Sequence, residues 1–139
     1  MGLRKNAKLE LLRSVPLFAG CSKRALGEIA TLADELTLPA GTTLIQEGRR
    51  GTEFFALVDG EVEVRAKGRK SARMEGGSFF GEMALLSSLP RNATVKAMTP
   101  VRVLVVHEPG FRRLMRDSPQ IQLRVLQTLA DRAAEIAPH

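Results

Sequence analysis

The chain has 139 residues, with 21 Lys and Arg against 15 Asp and Glu, giving a formal net charge of +6 and a pI of about 10.2. With 44% hydrophobic and 26% charged residues, this is ordinary usage for a single domain with its own core, which excludes wholesale disorder and collagen-like or mucin-like chains. The lone Cys21 excludes an internal disulfide, and His107 and His139 add too little to it for a dedicated zinc site, so neither a metal nor a cofactor is expected.

The basic N-terminus, Met1 to Lys8, is followed by no apolar run of signal-peptide length, and no stretch approaches the ~18 apolar residues of a membrane span. A soluble, cytoplasmic protein with no membrane partner is the expectation. The basic balance fits a nucleic-acid partner, a membrane surface or a small anionic ligand. Trp and Tyr are absent and Phe numbers six, which speaks against stacking on single-stranded bases.

Leu9, Leu11, Leu12 and Val15 predict a short helix over Ala7 to Val15, closed by Pro16. A second is predicted from the N-cap Ser22 to about Asp34, with Leu26, Ile29, Ala30 and Ala33 on one face, ended by Pro39 and Gly41. Glycine-punctuated β texture then runs to about residue 107. Its strands are Thr43 to Ile45, Phe54 to Val58, Val62 and Val64 with their neighbours, Ala93 to Ala97, and Val101 to Val106. Asp59-Gly60 reads as a type I′ hairpin turn between two of them. The helical period returns after Glu108-Pro109-Gly110, and Ser118-Pro119 supplies an N-cap and N1 proline for a final helix. Leu123, Leu126, Ala130, Ala133 and Ala137 form its expected core stripe.

The fold expected is mainly β with flanking α. It is a single domain over 1-139: N-terminal helices at 1-36, an antiparallel barrel or sandwich at 37-107, and C-terminal helices at 108-139.

The chemistry concentrates at 79-97. A glycine, a carboxylate and one turn of helix formers (Gly81-Glu82-Met83-Ala84-Leu85-Leu86) are followed by a loop that returns Arg91 to the next strand. Unpaired helix N–H groups attract an anion, glycine permits close approach, and a guanidinium adds charge-assisted hydrogen bonds. Glu82 would repel a bare phosphate but can accept from a hydroxyl. Phosphate plus hydroxyl points to a nucleotide with its ribose.

This segment, F-G-E-M-A-L-L-S-S-L-P-R-N-A-T-V-K-A, resembles the phosphate-binding cassette of the cyclic nucleotide-binding domain family, which includes the catabolite activator protein and protein kinase A regulatory subunits. Supporting matches lie at Leu12 to Phe18, Leu38 to Gly41, Glu47-Gly48, Gly51 to Phe55 and Gly60 to Val64, so the likeness spans essentially the whole chain. It implies a β-roll and a non-enzymatic regulatory sensor for a cyclic nucleotide, cAMP first and cGMP second. The ring phosphate would lie on Arg91 and the backbone N–H groups of Ala84 and Asn92, with Glu82 on the ribose 2′-hydroxyl and Gly81 allowing close contact. Met83 and Ala93 complete the ligand-binding set, Val64 lines the base side, and the final helix is a lid responding to ligand.

Asn92 stands where small or hydroxyl residues mark cAMP or cGMP preference, and as a plain loop residue it would serve equally well. The final helix has no aromatic to stack on the base, and Ile136 and Ala137 occupy positions of polar base contacts. The sequence ends at His139 without a helix-turn-helix, kinase-inhibiting or channel segment, so a stand-alone sensor acting on an unknown effector protein is expected. A homodimer seam along the final helix is a further expectation. The cations of 4-24 and 65-73 read as solvated faces, since no recognition helix accompanies them, and a nucleic-acid partner is not expected. The competing function is a ligand-free interaction module or DNA-associated regulator.

Overall fold

The structure, a computed structural model, describes residues 2-136, with side chains described for 7-134. Helix α1 (Gly2–Ser14), a 3₁₀ turn (Pro16–Phe18) and α2 (Lys23–Leu32) precede eight strands. These are β1 (Ala33–Leu38), β2 (Thr43–Ile45), β3 (Glu53–Asp59), β4 (Glu61–Arg65), β5 (Ala72–Glu75), β6 (Phe79–Phe80), β7 (Thr94–Ala97) and β8 (Val101–His107). The short α3 (Glu82–Ser87) lies between β6 and β7, and α4 (Glu108–Asp117) and α5 (Pro119–Ile136) follow β8.

The strands form two four-stranded antiparallel sheets, ordered β1-β8-β3-β6 and β2-β7-β4-β5. The near-continuous apolar runs of β3 and β8 follow from burial on both faces. Phe54, Ala56, Leu104 and Val106 enter a core shared with the helices, while Phe55, Leu57, Val103 and Val105 enter the core between the sheets. In the first core Phe54 meets Phe79 and Phe111 at centroid separations of 5.6 and 4.9 Å, beside the wholly buried Leu12, Phe18, Ile29 and Ile121. Cys21 packs half-buried against it; burial raises its thiol pKa, and Arg124 opposes that.

Ser22 caps α2 as expected, its Oγ accepting from the Ala25 N–H at 3.1 Å. Ser118 Oγ accepts from Ile121 N–H at 3.4 Å at the start of α5. Helix α1 begins at Gly2 instead of Ala7, because Leu3, Arg4, Lys5, Ala7 and Lys8 are good helix formers without an apolar stripe.

Three expectations are corrected. Helix α2 ends at Leu32, and Ala33 opens β1 instead of continuing the helix; its register on β8 pairs Ala33 with Val106 and Leu38 with Val101. Asp59-Gly60 closes no hairpin, since β3 and β4 belong to different sheets. Gly60 is required there by its φ of +96° and by the Pro100 carbonyl, 2.5 Å from where a Cβ would sit. Finally, the stripe expected in the core of α5 faces outward: Leu123 and Leu126 are exposed, as are Ala130 and Ala133. The buried face is Ile121 and Val125, continued by half-buried Leu129 and Arg132. Both stripes satisfy a 3.6-residue period, and what α5 packs against decides between them. Ala137 and the Ile136 side chain lie outside the described residues.

Candidate nucleotide-binding site

Strand β6 delivers the chain to Gly81, whose φ of +97° starts α3. A Cβ here would lie 2.8 Å from the Glu53 carbonyl oxygen and 3.1 Å from Arg91 Nη1. Glycine therefore allows the arginine and the β3 backbone to close on the helix start. After α3 the chain turns at Ser88, in the left-handed region at φ 59°, and comes back to Arg91. There the backbone is clamped to the 46-52 loop: Arg91 N–H donates to Arg49 O, and Gly48 N–H donates to Arg91 O, each at 2.8 Å.

The Arg91 residue is 7% exposed. Its Nη1 donates to Gly81 O at 2.8 Å and its Nη2 to Glu53 O at 2.6 Å. Both acceptors are neutral carbonyls. Burial pushes its pKa down, opposed by the charges of Glu53 and Glu82. No carboxylate lies within ion-pair distance of it among the described residues. A buried cation without a counterion costs desolvation energy that a bound anion offsets. Gly51 packs so closely against it that a Cβ there would fall 2.2 Å from Arg91 Nε and 2.4 Å from Cζ.

Glu82 is 0% exposed. Its Oε1 accepts from Arg132 Nη1 of α5, while its buried Oε2 has no hydrogen-bond partner among the described residues. Arg132 Nη2 also donates to the Phe79 carbonyl, and its guanidinium lies 5.2 Å from the centre of the Phe79 ring, within cation–π range. Asn92 Nδ2 approaches Met83 Sδ at 3.4 Å.

All eight residues expected to bind ligand, including Val64 on β4 and Ala93 before β7, line one cavity of about 750 Å³, a size suited to a small-molecule ligand. Two participants escaped sequence reasoning. Gly51 lies 40 positions from Arg91 and only the fold brings them together. Arg132 carried a usable signal, a charge continuing the spacing of Ile121, Val125 and Leu129 on the inward face of α5. Replacing Arg132 with methionine is expected to cost about 2–3 kcal/mol of stability, because it leaves the buried carboxylate unpaired. Urea denaturation measures this, and unchanged stability would show the pair to be energetically neutral.

Comparison with known proteins identifies the family. The family model for the cyclic nucleotide-binding domain matches residues 35–118, and the chain belongs to that family. A cyclic nucleotide-gated potassium channel of Mesorhizobium japonicum is 36% identical over 128 residues, covering 92% of this chain and 36% of the channel. A cAMP-dependent protein kinase regulatory subunit of Aspergillus fumigatus is 39% identical over 117 residues, covering 81% of this chain and 28% of that subunit. The chain thus spans about a third of the length of these relatives. Among solved structures, cAMP-bound PfPKA-R superposes with a TM-score of 0.81 at 26% identity, over 97% of this chain and 48% of the other. Among the described residues no helix is long and apolar enough to cross a membrane.

Proposed function

We propose that the cavity takes cAMP, with cGMP as the weaker ligand, and performs no chemistry on it. The observation that carries this is the buried Arg91 guanidinium opening on the same cavity as Oε2 of Glu82, the first without an ion-pair partner and the second without a hydrogen-bond partner among the described residues. Those groups complement a ring phosphate and a ribose 2′-hydroxyl respectively. Gly81 and Ala84 let the phosphate approach the backbone, Met83, Asn92 and Ala93 flank it, and Val64 meets the base side. The cAMP bound in PfPKA-R supports the choice of ligand.

Helix α5 is the responsive element, because Arg132 ties it to the carboxylate that the ribose would engage. A ligand shifts its position only by binding one arrangement better than another. The domain is read as one unit over 1-139 that signals in the cytoplasm to an effector protein, with the exposed Leu123 and Leu126 face of α5 available for a homodimer. Isothermal titration with cAMP, cGMP, 5′-AMP and 2′-deoxy-cAMP tests the site. cAMP should bind best, and 2′-deoxy-cAMP should bind roughly tenfold worse, because the buried carboxylate oxygen then stays unpaired. Equal affinity for the deoxy analogue would remove Glu82 from the ribose, and no cyclic-nucleotide binding below high micromolar would reject the reading.

A further inference from the structure

The hairpin joining β4 to β5 forms one wall of the cavity and carries a cation excess that a single ring phosphate does not require. Lys67, Arg69, Lys70 and Arg73 all line the cavity, and all four are exposed. Counting Arg91 and Arg132, six basic side chains line it against the acidic pair Glu47 and Glu82. Most of the chain's net charge of +6 is therefore gathered at this opening.

These cations differ from the paired arginines elsewhere on the surface, and other exposed cations without a pair among the described residues, such as Arg49, Arg50 and Lys96, do not line this cavity. Arg13, Arg65, Arg102, Arg112, Arg113 and Arg116 each have a carboxylate within 4 Å. None of the four hairpin cations has one among the described residues. Arg73 faces Glu63 across the ladder, but Glu63 is paired with Arg65 at 3.0 Å. Glu47 Oε1 accepts from the backbone N–H of Lys67 at 3.1 Å, tying the hairpin to the turn after β2 instead of neutralising a side chain.

We propose that this hairpin is an anion-gathering arm. Its four cations draw the negatively charged ligand to the mouth and raise its association rate, while Arg91 inside holds it. The proposal rests on the cavity being the cyclic-nucleotide site. Exposed charges act at long range and are screened by salt, whereas a buried contact is screened much less. Rim charges accordingly act on association and buried contacts on dissociation.

Stopped-flow mixing with a cAMP analogue bearing an environment-sensitive fluorophore on the base separates the two rates. In the variant with Lys67→Gln, Arg69→Gln, Lys70→Gln and Arg73→Gln, the association rate should fall roughly tenfold at low salt, with the dissociation rate within about twofold of wild type. The wild-type association rate should fall between about 0.02 and 0.5 M NaCl, and the variant's dependence should be flatter. A graded series, Arg69→Glu and then Arg69→Glu with Lys70→Glu, guards against a local folding fault and should slow association stepwise. Wild-type binding with equal association rates and salt slopes in all variants would overturn the arm and leave the site intact. Absence of wild-type binding would overturn the site reading and the arm with it.

Discussion

Replacing Arg91 with leucine is expected to lower cAMP affinity by about two to three orders of magnitude, equivalent to roughly 3–4 kcal/mol, because a phosphate brought into the cavity loses its buried counter-charge. The loss has two parts. Charge-assisted hydrogen bonds from a guanidinium contribute about 1.5–3 kcal/mol net each, and the phosphate left behind keeps its desolvation cost. The fold should tolerate the change. Gly81 and Glu53 lose a donor to their carbonyls, but the cost of burying an uncompensated cation disappears at the same time. Titration calorimetry measures the affinity, and a thermal melt within a few degrees of wild type shows that the loss is not unfolding. Wild-type affinity in this variant would remove Arg91 from the site.

The second large effect comes from a residue with no side chain. Gly51 does not adopt the left-handed backbone that favours glycine, so alanine meets no left-handed strain there. What it is not compatible with is Arg91: the added methyl would sit 2.2 Å from Nε. Gly51→Ala should therefore push the guanidinium from its two carbonyl acceptors and weaken cAMP binding by at least roughly tenfold, in line with what small displacements of a positioned group cost. Because it acts through Arg91, combining it with Arg91→Leu should add little to the leucine variant alone. A double-mutant cycle by calorimetry reads that coupling. Fully additive losses would mean that Gly51 acts elsewhere.

How far the sequence reveals the molecule depends on whether a signal is local. The cassette is contiguous, so its glycine, carboxylate and arginine can be read together, and all of its expected members line the cavity. The helix starts at Ser22 and Ser118 are legible for the same reason, each cap bonding within three residues. Strand β1 is not legible, because it is the outer strand of its sheet: Asp34, Glu35, Leu36 and Thr37 are all exposed, leaving no apolar alternation to read. Its first residue, Ala33, also continues the helical spacing of α2. The Asp59-Gly60 turn misleads because the local preference of Asp-Gly is real, while the choice of sheet for each flanking strand is made by long-range pairing. Gly51 and Arg132 fail the same test of locality, since their partners lie 40 and 50 positions away.

The two ends of α5 are fastened unequally. Near its start, Arg124 Nη1 donates to the carbonyls of Pro16, Leu17 and Ala19 at 2.6–2.9 Å, and Ile121 and Val125 are wholly buried beside it. Arg132, about 12 Å further along the axis at 1.5 Å per residue, has its bonds to Glu82 and Phe79, but the α5 residues on either side of it, from Leu129 to Ala134, are exposed or half-buried. Directional bonds are made or lost as units, and sub-global opening begins where buried apolar contact is sparse. Opening of α5 is therefore expected to begin in its later turns, beside the cavity, with the first turns still seated.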